Sequence, residues 1–202
     1  MGRSFLLAVA VLAGCAQFGV PELPPAYRDP ATVQAAVVVA YDPETVLGFG
    51  HTGVIVRGGP GYVRFDHYAS AELEYGERLR AGSARFWEGF TARLPSLFGL
   101  TRETVVRRDG ASLPELVQPG ELAVPLPGVD PEAVRAAAEA RWRNADGLDR
   151  ETAPRYVWVF NNCHHFVRDV VRAGLLTDGA TAVPDDYFPK HWVEAAIRRL
   201  PP

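Results

Sequence analysis

The sequence is poor in cysteine, in lysine and in long apolar runs. It has two cysteines, Cys15 and Cys163, and Lys190 is the single lysine among 21 basic residues. No apolar run approaches the roughly 20 residues that a bilayer-spanning helix needs. The formal net charge is −3, and a mildly acidic chain lacks the basic face that nucleic-acid binding requires. We therefore expect neither a membrane span nor a nucleic-acid partner.

The apolar content is sufficient for one domain with a buried core. Hydrophobic residues make up 48% of the 202 positions, and no internal repeat is visible. Residues 16–31 are instead rich in proline with little periodicity, which is typical of a tether. We expect residues 32–202 to form a single domain.

The alternation of short apolar runs and helical segments predicts the fold class. Gly58–Gly61 separates two strand-like runs and predicts a hairpin. Few strands followed by helices, without βαβ alternation, predict an α+β domain with a mostly antiparallel sheet packed with helices. The predicted strands are 35–41, 51–57, 62–68, 104–108 and 121–125, and the predicted helical regions are 70–100, 131–142, 163–173 and a short helix within 183–197.

An aromatic stretch between Phe86 and Phe98 lies inside the first helical region. Its large apolar residues recur at spacings that suit one face of a helix or of two short helices. Packing in the core is one explanation of this pattern. A lid or a lipid-facing surface is the other, and the sequence leaves both open.

Cys163 lies at the predicted start of an amphipathic helix. Asn162 is a natural N-cap, Gly174 a natural stop, and the apolar positions that follow the cysteine are Phe166, Val167, Val170 and Val171. The N–H groups and partial positive charge at a helix start favour a thiolate. A lone cysteine is also commonly a small buried hydrophobe, so its interpretation depends on a neighbouring base.

His51, at the start of the second predicted strand, is the candidate base. A thiol nucleophile needs a base, and the base needs a third polar group that fixes its tautomer. Pairing across the tight turn places His51 opposite His67 or Tyr68. His67 and Asp66 point to opposite faces of their strand, so only one of them can serve. We favour His67, with Asp66 as the alternative.

The neighbouring histidines after the cysteine raise the question of a metal. His164 and His165 directly follow Cys163. Adjacent residues on a helix point about 100° apart, so these three side chains do not converge easily on one ion. We expect no metal, with His165 in a structural hydrogen bond and His164 facing outward.

The first fifteen residues predict a secretory signal. Arg3 supplies positive charge, Phe5–Leu12 supplies the apolar stretch, and Leu12–Cys15 places small residues before a cysteine. This pattern resembles the lipobox of bacterial lipoproteins. It implies a signal peptide over residues 1–15 and a diacylated Cys15 that holds the protein at the membrane. An ordinary signal peptide, or a buried helix with a chance cysteine, is the alternative.

The residue after Cys15 bears on the location. Ala16 is not the aspartate that would suggest inner-membrane retention in the lipoprotein pattern, so we expect an outer-membrane lipoprotein facing the periplasm. Disulfides are permitted there, yet acylation of Cys15 would leave Cys163 without a partner. Either burial or catalysis would account for such a thiol.

Two segments resemble the circularly permuted branch of the papain-like NlpC-type hydrolases, which includes lecithin:retinol acyltransferase and its relatives. Asn162–Val167 is similar to that branch's Asn-Cys-Glu-His-Phe-Val motif, with His164 in place of the glutamate. Gly50–Val56 is similar to its histidine strand, which a hairpin follows that ends in a second histidine, here His67. In ordinary papain-like enzymes the cysteine precedes the histidine, and here the order is reversed.

The resemblance implies acyl-transfer chemistry without a cofactor. Cys163 would attack an acyl carbonyl to form a thioester, with His51 as general base and then general acid. His67, or failing it Asp66, would orient His51, and N–H groups at the helix start would stabilise the oxyanion. The implied function is an envelope-anchored cysteine hydrolase or acyltransferase that acts on a cell-wall peptide or an acyl lipid. A non-catalytic binding or scaffold lipoprotein is the alternative.

Overall fold

The computed structural model describes residues 25, 28–40, 51–85, 88–118, 121–147, 155–157 and 161–175. The predicted signal segment 1–15 with Cys15 lies outside the described residues, as do most of the predicted tether and the predicted tail helix within 183–197.

Six strands form one antiparallel sheet with the order β5-β1-β2-β3-β4-β6. The prediction of an α+β fold with an antiparallel sheet packed with helices is therefore confirmed. The five predicted strands overlap the first five observed ones, and the sixth is a short addition beside β4. The strands are β1 (Ala35–Ala40), β2 (Thr52–Gly58), β3 (Gly61–Ala69), β4 (Thr101–Gly110), β5 (Glu121–Pro125) and β6 (Arg155–Tyr156).

The β2–β3 hairpin has the tight turn that the glycines predict. Gly58 pairs with Gly61, and Gly59 between them has a φ of 61°, in the left-handed region that glycine tolerates best. This two-residue connection fixes the register of the two strands, and Gly53 consequently pairs with Asp66.

The described helices differ from the predicted ones at three points. The region 70–100 contains two helices, and the helix predicted over 131–142 continues through Gly147. Helix α3 was not predicted, because four residues are too short to show a helical period. The helices are α1 (Ser70–Arg80), α2 (Glu88–Leu97), α3 (Leu113–Leu116), α4 (Pro131–Gly147) and α5 (Cys163–Ala173).

The sheet buries apolar side chains on both faces. One face packs against α4 and α5 in the main cluster, which includes Val54, Phe65, Val105, Val134 and Phe166. The opposite face packs against α3 in a smaller cluster, which includes Ala36, Ile55, Tyr62, Leu113 and Leu116. Because successive strand residues alternate between faces, the strands β1, β2 and β3 each contribute to both clusters, and the sheet separates α5 from α3.

Part of the predicted aromatic stretch is exposed. Leu94, Leu97 and Phe98 keep 36%, 40% and 73% of their surface accessible, so core packing does not explain these three residues. Phe86, Trp87 and the side chain of Phe90 lie outside the described part of the chain. None of the helices within the described ranges is both long and apolar enough to cross a membrane.

Candidate active site

The first turn of α5 places Cys163 against the sheet. Asn162 has extended backbone, and its side-chain oxygen accepts hydrogen bonds from the N–H groups of His164 (2.9 Å) and His165 (3.1 Å). The predicted N-cap is therefore confirmed. The ring of His165 also bonds to the Asn162 side chain, at 2.9 Å from Nδ1, which confirms its expected structural hydrogen bond.

His51 lies immediately before β2, between the thiol and β3. Its Nε2 lies 2.9 Å from Oδ1 of Asp66, and its ring stacks on Tyr68 with centroids 4.3 Å apart. The ring also hydrogen-bonds the thiol of Cys163. Since Asp66 engages Nε2, the nitrogen left for the thiol is Nδ1. Cys163 is buried, with 7% of its surface accessible, and the His51 side chain keeps 21%.

The surroundings of this pair favour its ionised form. Burial opposes the thiolate, but the hydrogen bond and charge of His51 outweigh burial and lower the pKa of Cys163. Burial also opposes the imidazolium, yet the ionised forms of Tyr68, Asp66 and Cys163 raise the pKa of His51 well above its ordinary value. Burial raises the pKa of Tyr68. The phenol is therefore neutral near pH 7, and the charge that acts there comes from Asp66 and Cys163.

Asp66, and not the favoured His67, is the residue that the structure brings to His51. Asp66 lies on the same face of β3 as Tyr68, next to the His51 ring, while His67 points to the face that packs on α5. The pleat of the strand separates the two neighbours. The expectation that His67 orients His51 does not match this geometry, and the alternative Asp66 does.

Two arginines hold the carboxylate of Asp66. Arg64 donates from Nε to Oδ2 at 2.7 Å and from Nη2 to Oδ1 at 2.8 Å, and Arg108 donates to Oδ2 at 2.6 Å. Burial would raise the pKa of Asp66, but the bonds and charges of His51 and Arg64 hold it far below its usual range. Asp66 is therefore a fixed negative charge beside the imidazole.

Arg64 is fully buried and completely satisfied. Besides Asp66, it donates to the carbonyl of Leu116 at 2.7 Å and to both carboxylate oxygens of Glu121. Its five N–H groups thus all have acceptors. The guanidinium ties the Asp66 side chain to β5 and to the end of α3, which restricts where Asp66 can present its oxygens.

Gly53 makes room for the Asp66 carboxylate. It pairs with Asp66 across the hairpin, and a Cβ built on Gly53 would overlap Oδ1 of that residue and would lie 3.0 Å from the carbonyl of Phe65. Real Cβ atoms do not approach an oxygen as closely as this one would approach Oδ1. The glycine is therefore required by the same contact that orients His51.

His164 does not face outward as expected. Its Nδ1 lies 3.1 Å from Oγ1 of Thr52, a side chain with 1% of its surface accessible. Thr52 directly follows His51, and its backbone also hydrogen-bonds Cys163. His164, which stands where the resembled motif has a glutamate, thus links α5 to β2.

Three charged residues of this site were not identified from the sequence, namely Arg64, Arg108 and Glu121. Arg64 and Asp66 alternate with Val63 and Phe65, and this spacing places both charges on one face of β3. This spacing was the one local feature of the sequence that could have predicted an ion pair between Arg64 and Asp66. Glu121 and Arg108 come from distant parts of the chain, and no local pattern connects them to the hairpin.

Within the described ranges, no group of three histidine, cysteine, aspartate or glutamate side chains is placed to hold a metal ion. Comparisons of the chain with family models, with curated proteins and with solved structures found no match. The fold and the site themselves define an α+β domain in which a helix-start cysteine, a strand-edge histidine and a buried aspartate form one hydrogen-bonded series.

Proposed function

We propose that this protein is a cysteine hydrolase or acyltransferase that acts on an amide or ester bond through a thioester. The observation that carries the proposal is the position of His51, which bonds Cys163 on one side and Asp66 on the other. This is the arrangement that activates a thiol nucleophile and fixes the tautomer of its base.

The reaction would proceed in two balanced stages. The Cys163 thiolate adds to the acyl carbon, the bond to the leaving amine or alcohol breaks, and the imidazolium of His51 gives its proton to that leaving group. Neutral His51 then takes a proton from water or from an acceptor hydroxyl, whose oxygen attacks the thioester. The thiolate leaves, and the starting ion pair is restored. Asp66 keeps its negative charge throughout and stabilises the imidazolium.

The oxyanion would lie at the start of α5. The Asn162 side chain occupies the N–H groups of His164 and His165, so the N–H of Cys163 is the helix-start donor closest to the reacting sulfur. In the absence of substrate this N–H donates to the hydroxyl of Tyr156, which also contacts the thiol of Cys163, so the oxyanion would take the place of the phenol oxygen on this N–H. Burial raises the pKa of Tyr156 well above its ordinary value, so this phenol keeps its proton and can donate a second hydrogen bond.

The proposed family is the permuted branch of the papain-like NlpC-type hydrolases. Support comes from the order of the parts: the histidine precedes an early strand, and the cysteine begins a late helix that packs on that strand. The proposed location is the periplasmic side of the outer membrane, with Cys15 as the lipid attachment point, and the substrate is a cell-wall peptide or an acyl lipid. The proposed location, lipid attachment and substrate class rest on the sequence resemblances.

The first test is the pH dependence of Cys163 alkylation by iodoacetamide, followed at the Cys163 peptide by mass spectrometry so that Cys15 does not interfere. We expect a midpoint well below the free-cysteine value of about 8.5, and we expect His51→Ala to move it back. Hydrolysis of muropeptides and of acyl lipids should then be lost in Cys163→Ala. An ordinary midpoint, or a thiol that reacts only in unfolded protein, would favour a non-catalytic binding module with Cys163 as a core residue.

A further inference from the structure

A second buried polar network lies on the other face of β3, around Glu103 of β4. Glu103 has 2% of its surface accessible. It accepts hydrogen bonds from Nε and Nη2 of Arg141 at 2.9 and 2.7 Å, and from Nδ2 of Asn161 at 2.8 Å. Nε2 of His67 lies 3.1 Å from the same carboxylate. The proposed chemistry uses none of these four side chains.

The charges of this network fix the state of His67. Burial lowers the pKa of His67, and the charge of Arg141 lowers it further, against the opposing effect of Glu103. His67 is therefore neutral near pH 7 and donates from Nε2 to Glu103. Burial would raise the pKa of Glu103, but its bonds to His67, Arg141 and Asn161 lower it to about 2. The carboxylate thus remains charged at any pH where the thiol would react.

The network converges on the residues that lead into Cys163. Asn161 accepts a hydrogen bond from Arg141 at 2.7 Å and donates one to the carbonyl of Arg155 at 2.8 Å, besides its bond to Glu103. Asn161 and Val157 also exchange both backbone hydrogen bonds, at 2.7 and 3.1 Å. The next residue is the N-cap of α5, so the position of Asn161 sets where the helix begins.

His67 supports the same region through its ring. The ring stacks on Phe166, in the first turn of α5, with centroids 5.3 Å apart, and lies 5.1 Å from the ring of Tyr156. Tyr156 contacts the thiol. Glu103 therefore reaches Cys163 by two routes, through Asn161 along the chain and through His67 across the packing.

We propose that Glu103 is a positioning residue for the nucleophile, which holds the start of α5 so that the Cys163 thiol meets His51. The inference rests on the proposed function, since it concerns the same thiol. A carboxylate with a merely structural role would contribute to stability alone. A positioning role also requires the ionisation of Cys163 to depend on Glu103, although the two side chains are not hydrogen-bonded to each other.

The test is the Glu103→Gln variant of the full chain, with alkylation of the Cys163 peptide by iodoacetamide measured against pH. We expect the midpoint to rise by about one pH unit or more, which corresponds to roughly tenfold slower alkylation at a pH well below the wild-type midpoint. Val33→Ala is the matched control, because it truncates a buried side chain of the smaller cluster outside α3, the helix whose end contacts Arg64. It should lower the melting temperature and leave the alkylation profile unchanged.

Three results would overturn the inference. The first is an unchanged midpoint in folded Glu103→Gln, and the second is an equal shift in Val33→Ala. The third is an unchanged midpoint in Arg141→Lys, which keeps the charge but loses the two-pronged contact with Glu103; this variant serves if Glu103→Gln does not fold. If the wild-type alkylation midpoint is low and any of these three results is found, the positioning role of Glu103 is wrong but the proposed function stands. An ordinary midpoint in the wild type overturns the proposed function, and this inference with it.

Discussion

Asp66 reaches His51 diagonally across the β2–β3 hairpin. Its direct pairing partner is Gly53, two positions beyond His51, yet its Oδ1 lies 2.9 Å from Nε2 of the histidine. The contact needs a pairing partner with no side chain and a carboxylate that cannot turn away. Gly53 meets the first requirement and Arg64 the second, so a small part of the hairpin orients the His51 ring.

Replacement of Asp66 by asparagine should weaken the activation of the thiol. The amide keeps a hydrogen-bond acceptor for His51 but removes the negative charge, so the pKa of His51 should fall and that of Cys163 should rise. We expect the alkylation midpoint of Cys163 to increase by about one unit or more. Asp109→Asn, at a side chain 66% exposed on β4, is the control. A profile identical to wild type in Asp66→Asn would exclude Asp66 as the orienting residue.

Gly53→Ala should disturb the site and the fold together. The added Cβ would overlap the Asp66 carboxylate, and overpacking of this kind costs about 1–3 kcal/mol. Thermal unfolding should show the loss, and alkylation of Cys163 at pH 6 should slow. In Gly76→Ala the Cβ meets only the Arg80 guanidinium, at 3.8 Å, and an alanine in a helix is favourable by up to about 1 kcal/mol. Equal stability of the two variants would contradict the contact.

Acid should remove the stability that Glu103 provides. Its pKa in the folded protein is about 2, against an ordinary value of 4.5. A lowered carboxyl pKa stabilises the fold above the ordinary value, and this contribution is lost as the pH falls from about 4.5 to about 2. Melting temperatures of wild type and Glu103→Gln should therefore differ most above about pH 4.5 and converge only as the pH falls to about 2. A difference that stays constant over this range would show that the carboxyl is not charged in the fold.

Arg64→Met should be among the most destabilising single changes in the hairpin. It leaves the carboxylates of Asp66 and Glu121 buried without their shared cation, and breaking a buried ion pair from one side costs about 3–5 kcal/mol. Denaturant unfolding measures the change in the free energy of unfolding. Arg57→Met, at an exposed position of β2, should alter it by about 0.5 kcal/mol or less. A small effect of Arg64→Met would mean that the buried carboxylates find other partners.

Local patterns in the sequence were sufficient to predict most of the sheet. The apolar runs around Val37 and Val54, and the glycines of the hairpin, predicted β1, β2 and β3 close to their observed bounds. The start of α5 was predictable too, because an N-cap and an apolar stripe are both local features. Helix α3 was not, since four residues do not reveal a period.

Local sequence patterns did not decide whether Asp66 or His67 orients His51. The sequence showed that Asp66 and His67 face opposite ways, but not which way His51 faces. His51 lies just outside β2, so its direction depends on tertiary contacts with Cys163 and Tyr68. The partners of both buried carboxylates, such as Arg141 and Glu121, come from other elements and became visible only with the fold.

The separation of the site's parts along the chain has a consequence for its chemistry. Thr52 and His164, hydrogen-bonded neighbours of the reactive pair, are 112 positions apart, and closing so long a loop is one of the costly steps in folding. Until α5 docks on the sheet, Cys163 lacks its contact with His51, and the pKa of its thiol is that of an ordinary cysteine. The low pKa of this thiol is thus a property of the completed fold, and a partly folded chain keeps Cys163 mostly protonated near pH 7.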